Sequence, residues 1–486
     1  MLDQSFSGKN FNIIFLKELR KGRLSLKISN PEYDQKQQYI RDLLSQKLSL
    51  KKEKRTLTKK ELDEFSAQVE NLNREKEKIR ISFLNDISDE INSKQFKFTF
   101  ELDEERGIFK INESKSSFFA LKQLQENLSR TFKVKQANRH FIIRQLYQTL
   151  NNPHPKVILK TDIKTFYESI PHDRLFEKLD NNTLLTAFSK KLIKKLCFEF
   201  ERIKTPLNIS PHRGLPRGIS VSASLSELYM RDIDNSIKEL DEVIFYSRYV
   251  DDIIVIFSPK DIAKCVPDTY LNKVRQIVIA NNLELKEDPI NSNENKTHLI
   301  NLIDISSAED TLQYLGYKFK FTPSNFNNQK KTFSLPIEIS DKKKDKYKER
   351  LIKSINDYNT SAKFNEKRAR KVFTSRLKFL TGNFRLDSKK SSVKSGIYYS
   401  NEAISLYNKD KINISLKELN YSLCKLLMKD LYPPEYLNKR QLIKKLLSKH
   451  NFIDGFYNRE KHFHSFSYEK GQYTPNNFWL IKSIWS

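Results

Sequence analysis

The first long pattern in the chain has a period of three to four. Leu62, Phe65, Val69, Leu72, Ile79, Phe83 and Ile87 recur at that spacing with charged residues between them, and Lys76 breaks the stripe. This predicts an amphipathic helix of roughly two dozen residues or more, packed on its own domain in preference to a coiled-coil seam. Over 97–111 (KFKFTFELDEERGIFKI) the period falls to two, which predicts a hairpin or two short strands. Helical spacing returns over 115–155, with the basic stretch SRTFKVKQANRHFIIRQ.

From 156 to 325 strand and helix patterns alternate in an α/β or α+β manner. VILKTDI reads as a strand, LFEKLDNNTLLTAFSKKLIKKLCFEFERI as a helix, and SVSASLSELYMRDIDNSIKEL as a helix opened by a glycine turn. EVIFYSRY and DIIVIFS are two strands with almost nothing between them. IAKCVPDTYLNKVRQIVIANNL is helical with Pro267 near its start, and LQYLGYKFKFT is a strand. From about 336, ISDKKKDKYKERLIKSINDY and the segments up to 455 predict Lys-rich amphipathic helices joined by polar turns such as RLDSKKSSVKSG. The aromatic tail HFHSFSYEKGQYTPNNFWLIKSIWS is expected to dock on the fold.

Composition adds a partner. The 486 residues suggest two to four domains. Lys and Arg number 88 against 60 Asp and Glu, a net charge of +28 and a pI near 9.6. That excess exceeds what solubility needs and fits a polyanion, most often nucleic acid, over a surface that is merely rich in lysine. Cys197, Cys265 and Cys424 are far apart and form no CxxC or Cys/His spacing, so neither a disulfide framework nor a zinc site is expected. The start has no apolar signal core and no run approaches 18 apolar residues, so a cytoplasmic protein without a membrane span is expected.

The candidate chemistry lies in YSRYVDDIIVIF (246–257), where Asp251 and Asp252 stand side by side in a β-branched run. A tight hairpin between the two strands puts Asp251 at the turn and Asp252 beside it. Carboxylates this close are costly unless a cation neutralises them. Mg²⁺ favours carboxylate oxygens together with substrate phosphates, and two such ions can clamp an in-line phosphoryl transfer. A third carboxylate is available at Asp162, at the end of the strand in KVILKTDIKTFYESIPH.

At these residues the chain resembles the reverse transcriptases. YVDD resembles their motif C and DIKTFYESI their motif A. RGLPRGISVSASLSEL (213–228) resembles motif B, LELKEDPINSNENKTHLI (283–300) motif D, and LQYLGYKFKF (312–321) motif E, the primer grip. The motifs follow in the family's order over roughly 115–325. The resemblance implies an α+β fold with right-hand fingers and palm, followed by an all-helical C-terminal domain. The implied domains are an N-terminal helical region with fingers (1–155), a palm (156–325) and a Lys-rich helical domain in place of a usual thumb (326–486).

It further implies Asp162, Asp251, Asp252 and the backbone carbonyl of Ile163 as ligands of two Mg²⁺ ions, with Mn²⁺ as an alternative. Tyr167 matches the steric gate against a ribose 2′-OH, and Lys296 the lysine near the leaving pyrophosphate. Leu315, Gly316 and Tyr317 match the primer grip. Gly214 and Gly218 would let backbone approach the nucleotide, with Arg217 beside the templating base where the family commonly has Gln. Among the basic residues Lys133, Lys135, Arg139 and Arg144 of the fingers, Lys135 and Arg139 are the choice for holding the triphosphate.

FYESIPH, GLPRGISVSASLSELYM and YVDD together resemble the bacterial abortive-infection and defense-associated enzymes of the unknown groups, as do RLKFLTGNFRL and GIYYSN. That resemblance implies an antiphage DNA polymerase, either template-independent or using a bound non-coding RNA, in some members primed on a tyrosine, and often a homo-oligomer. Two alternatives remain open: a conventional RNA-templated enzyme of retron or group II intron type, and a non-catalytic RNA-binding scaffold, against which the intact carboxylate set argues.

Overall fold

The structure, a computed structural model of the chain, describes residues 3–20, 28, 30–52, 58–103, 108–112, 114–204, 211–286, 296–304, 307, 309–327, 332–386, 393–407, 412–431, 439–468 and 474–485. In chain order the N-terminal elements are α1 (Gly8–Arg20), α2 (Pro31–Lys52), α3 (Lys59–Asn92), the hairpin β1 (Phe100–Asp103) and β2 (Ile108–Ile111), α4 (Lys115–Phe132) and α5 (Arg139–Leu150). The long amphipathic stripe is α3. It starts at a capping box in which Thr58 and Glu61 satisfy each other's backbone N–H groups. Its second half buries Leu84, Ile87 and Ile91, and it packs on α1, α2 and α4.

The central elements are β3 (Lys156–Asp162), α6 (Phe166–Ser169), α7 (His172–Asp180), α8 (Ala187–Ile203), α9 (Ser220–Lys238), β4 (Val243–Tyr249), β5 (Asp252–Phe257), α10 (Asp268–Ala280), β6 (His298–Leu302), β7 (Asp310–Tyr314) and β8 (Tyr317–Phe321). Two expectations are corrected here. The helix predicted over 175–203 is broken, because Asn182 folds back to cap the N–H groups of Leu184 and Leu185 and Thr186 then caps α8. The strand predicted over 312–322 is a hairpin. Its apolar alternation continues on both sides of a two-residue turn, Leu315–Gly316, where both residues have positive φ (46° and 78°).

The C-terminal elements are β9 (Phe326–Asn327), β10 (Thr332–Phe333), β11 (Ile337–Ile339), α11 (Asp341–Thr381), β12 (Asn383–Arg385), β13 (Lys394–Gly396), α12 (Ile397–Asn401), α13 (Ile414–Asp430), α14 (Lys439–Lys449), α15 (Phe452–Tyr457), β14 (Phe463–His464) and α16 (Phe478–Lys482). The region is mainly helical, as expected, but it also carries a three-stranded sheet in the order β13–β12–β14. Strands of two and three residues are too short to leave a period-two pattern in the sequence. α11 is two helical segments meeting at Asn365, which leaves helical geometry and caps the second segment through its side chain on the N–H of Arg368.

The chain makes two compact units. One comprises Met1–Gln136, Ile163–Asn235 and Ile277–Glu284; the other comprises Ala137–Asp162, Ser236–Gln276 and Leu285–Ser486. The first is built on helices, with ring contacts such as Phe11–Phe119 and Phe109–Phe200 in its interior. The second holds an antiparallel sheet in the order β4–β5–β3–β6 and the hairpin β7–β8, with β11 beside β8. One apolar core joins Ile158, Ile254 and Ile256 of that sheet to Tyr314, Phe319, Leu351, Leu416 and Phe452. Among the described residues no helix is long and apolar enough to cross a membrane.

Candidate active site

β5 runs Ile253–Phe257 without solvent exposure, and Val157, Ile158 and Leu159 of β3 are equally buried. Burial on both faces explains why these strands read as continuous apolar runs. Their antiparallel register sets Asp162 directly opposite Asp252. β4 and β5 are joined by Val250 and Asp251 alone, with Tyr249 opposite Asp252. Asp251 thus sits in the turn and Asp252 on the first strand position after it.

Val250 has φ of 64°, a left-handed conformation that costs a β-branched residue on the order of 1–3 kcal/mol. Two side chains hold that turn. Arg248 Nη1 donates to the Val250 carbonyl at 2.8 Å, and the buried Tyr314 hydroxyl donates to the Asp252 carbonyl at 3.2 Å. The end of β3 is fixed as well. The Lys286 N–H donates to the Asp162 carbonyl at 2.6 Å, Thr297 Oγ1 donates to the Lys286 carbonyl at 2.8 Å, and Thr161 Oγ1 lies 2.8 Å from Thr297 Oγ1.

The carboxylates are not fully compensated. Asp162 is 8% exposed, its Oδ2 is 3.3 Å from Lys296 Nζ, and its Oδ1 is buried without a hydrogen-bond partner. Burial, and then the charges of Asp162 and Asp251, push the Asp252 carboxyl up to about 6. An orphaned carboxylate oxygen beside two further carboxylates fits a hard divalent cation. Among the described residues no three His, Cys, Asp or Glu side chains close into a ready metal cage. Asp162, Asp251 and Asp252 are the residues that would hold the cation.

In the first unit, Thr165 (φ 42°) turns the chain into α6, where Phe166 is buried and Tyr167 is half-buried. The Tyr167 carbonyl accepts from the Leu215 N–H at 2.8 Å and the Ile170 carbonyl from the Gly214 N–H at 2.8 Å. Arg217 grips Glu168 with a two-pronged ion pair, Nε to Oε1 and Nη2 to Oε2, the latter at 2.8 Å. His172 buttresses the same turn, its buried Nε2 donating to the Gly214 carbonyl at 2.7 Å. Gly214 and Gly218 both have positive φ. Lys135 is exposed in the segment between α4 and α5. Of the 283–300 stretch, residues 287–295 lie outside the described residues.

In the second unit Arg139 stands against the β7–β8 turn. Its Nε donates to the Leu315 carbonyl at 2.8 Å and its guanidinium lies 5.3 Å from the Tyr317 ring centre. A side chain at Gly316 would meet Arg139 Nη2 at 3.0 Å in a left-handed backbone, so this position requires glycine. Lys343 of α11 covers the other side of the turn. Its Nζ donates to the Ser400 carbonyl at 2.7 Å and lies 5.7 Å from the Tyr317 ring centre.

Burial, with Arg139 alongside, brings the Lys343 ammonium down to about 7. A lysine whose folded pKa is depressed destabilises the fold while the unfolded chain is protonated and the folded one resists it. The cost is full below pH 7 and disappears as pH rises toward 10.5. Lys343→Met should therefore be more stable than the parent near pH 7. The parent should recover about 1.4 kcal/mol per pH unit relative to the variant above that. Chemical denaturation of both proteins from pH 6.5 to 9.5 checks this; a pH-independent difference would refute it.

Arg248, Tyr314, Thr297, His172 and Lys343 were not singled out in the sequence. Arg248, His172, Thr297 and Tyr314 lie inside the motif segments, at YSRYVDD, FYESIPH, NENKTHLI and LQYLGYKFKF. The contacts of Tyr314, Thr297 and Lys343 are ones that only the fold creates.

Comparison with known proteins finds a family match over part of the chain. Residues 108–319 match the family model described as reverse transcriptase (RNA-dependent DNA polymerase). Under half of the chain is thus similar to a reverse transcriptase domain. The matched stretch contains both β3 and the β4–β5 turn, and hence all three carboxylates. Reverse transcriptase domains work with divalent metal ions, in keeping with the donor set above. Among solved structures, the chain is similar to telomerase from Candida albicans in complex with a TWJ fragment of telomeric RNA. Identity is 12% and the TM-score 0.36, over 68% of this chain and 56% of that one. It is also similar to the Candida tropicalis telomerase in a complex of the same kind, with 14% identity and a TM-score of 0.31, over 78% and 75%. The chain thus spans little more than half the length of the first of these. No curated protein matches.

Proposed function

We propose that the protein is a DNA polymerase of the reverse transcriptase type that adds deoxynucleotides by nucleotidyl transfer, in the setting of antiphage defense. The observation that carries the catalytic part is the meeting of Asp162, Asp251 and Asp252 at one strand end and turn inside the stretch similar to a reverse transcriptase domain. Bound Mg²⁺ would supply charge neutralisation for the triphosphate and acidify the attacking hydroxyl.

The chain's own groups do the positioning. Arg248 and Tyr314 hold the turn that presents Asp251 and Asp252, and the Thr297–Lys286 link holds Asp162. Lys296, paired to Asp162, brings positive charge for the departing pyrophosphate. Tyr167 is the gate against a ribose 2′-OH. Arg217, tied to Glu168, lies on the motif B turn, and Leu315, Gly316 and Tyr317 form the primer grip. Lys135 and Arg139 are assigned to the fingers' contact with the nucleotide, and 1–155, 156–325 and 326–486 to fingers, palm and C-terminal domain.

The defense role and the mode of priming rest on the sequence resemblance at FYESIPH, GLPRGISVSASLSELYM and YVDD. On this reading a tyrosine hydroxyl attacks the α-phosphorus of a deoxynucleotide. The new bond is a phosphotyrosyl ester, pyrophosphate leaves, and the phenolic proton passes to solvent. A non-coding RNA and further copies of the chain are the proposed partners. A conventional RNA-templated enzyme is the second reading, favoured by the description of the matching family as RNA-dependent.

The test is incorporation of labelled dNTPs with Mg²⁺, followed by boiling in detergent and electrophoresis with and without protease. Label that stays with the protein until protease treatment, maps to a tyrosine peptide, and is dNTP-selective over NTPs supports protein priming. Label that migrates free and copies an added RNA moves the assignment to the second reading. No incorporation under either condition refutes polymerase activity.

A further inference from the structure

Away from the carboxylates, the second half of α11 forms one wall of a cavity of about 680 Å³; β14 and the segment 474–476 form the other. Arg370, Thr374 and Lys378 recur every fourth residue, so they share one helix face over about 12 Å along the axis. Lys371 lies beside them, and His464 and Asn476 face them across the cavity. No carboxylate is among the described residues that line it. Arg370 pairs with Glu366 at 3.6 Å, but both side chains are more than half exposed, and such a pair contributes little and yields readily to a stronger anion.

The opposite wall is held in place. His464 packs on Gly382, where a Cβ would come within 2.7 Å of its ring Nε2, and that Nε2 is buried without a hydrogen-bond partner. Asn476 is fixed by its Nδ2 donating to the Ser465 carbonyl at 2.8 Å. Burial, and then Lys378 nearby, keep the His464 imidazole down to about 4, so at neutral pH it is uncharged.

From this geometry we infer that the α11–β14 cavity is a second nucleic-acid site that takes the phosphodiester backbone of a single strand. Charge laid along a line matches a chain of phosphates better than a single anion, which one or two converging cations would hold. The Thr374 hydroxyl is committed to the Arg370 carbonyl at 2.8 Å, so the polar donor that complements phosphate oxygens is the second side-chain amide N–H of Asn476. The volume suits a stretch of strand threading past and not a buried duplex. The identity of the partner rests on the polymerase reading, whereas the anionic chemistry does not.

The test uses the full chain carrying Asp251→Asn, so that binding is read without synthesis. Fluorescence anisotropy of a labelled oligothymidylate is followed across a KCl series, with and without Arg370→Gln, Lys371→Gln and Lys378→Gln. Loss of three phosphate contacts should lower the slope of log K against log salt by about 2 and weaken binding roughly tenfold or more. Arg370→Glu alone, at an exposed position, gives the same direction should the triple variant fail to fold. Unchanged affinity and slope in folded variants overturns the inference. So does displacement by inorganic phosphate as effective, per phosphate, as by unlabelled oligothymidylate, which marks a single-anion site. The expected binding loss in a chain whose Asp251 form incorporates no dNTP supports the groove while refuting the polymerase reading alone.

Discussion

Asp251→Asn is expected to reduce dNTP incorporation on the order of 10³-fold or more while leaving the protein folded. Asp251 lies in a two-residue turn whose geometry is maintained from outside the carboxylate, by Arg248 on the Val250 carbonyl and Tyr314 on that of Asp252. An amide of the same shape therefore preserves the turn but removes a negative oxygen from the cation site. The electrostatics run the same way for stability. Asp252 is pushed up to about 6 in part by its neighbours, so removing one neighbouring charge relieves repulsion in the metal-free protein. In EDTA at pH 7.5 the variant should melt at or above the parent temperature. Added Mg²⁺, which stabilises whatever form binds it, should raise the parent more than the variant. Parent-like incorporation by Asp251→Asn would remove these carboxylates from the chemistry. A collapsed melting curve would mean that the charge is structural.

Gly455→Ala is expected to be the most damaging single methyl addition in the C-terminal region. Gly455 lies in α15, where its backbone crosses the end of α11. A methyl placed there overlaps the Thr381 carbonyl oxygen and lies 2.8 Å from the Thr381 carbonyl carbon and 3.1 Å from Ile397 Cγ2. The obstacle is backbone, so no rotamer change relieves it. The Gly455 carbonyl also accepts from the fully buried Asn383 side chain at 2.7 Å, a bond that any displacement of α15 would strain. Overpacking of this kind costs roughly 3 kcal/mol, about 5 °C in melting temperature for a unit of this size. A thermal melt of the purified variant checks it, and an unchanged transition would mean that α15 is not seated on α11 in solution.

The sequence alone brought the candidate carboxylates into view. YVDD and the strand-end Asp162 were legible because a charge in a β-branched run stands out against its surroundings. The two-residue β4–β5 connection followed from the same stretch, because strand patterns that nearly touch leave room only for a tight turn. The hairpin at 100–111 and the long helix α3 were legible from their periods.

What the tertiary structure decided is of another kind. The Leu315–Gly316 turn was hidden because the buried positions are period-two on both sides, and the apolar Leu315 fills the phase shift between Tyr314 and Tyr317 so that the run reads as one strand. The break between α7 and α8 depended on side-chain caps that leave the helical spacing intact. The small C-terminal sheet has strands below the length at which periodicity exists. The supports of the site were invisible for a common reason. Tyr314 on the Asp252 carbonyl, Thr297 on the Lys286 carbonyl, and Arg139 and Lys343 around Gly316 join residues distant in sequence, and a buried Tyr or Lys looks the same in sequence whether it packs or positions. A linear pattern records which residues avoid water. Which backbone carbonyl a buried donor reaches is set only when the strands and helices have packed.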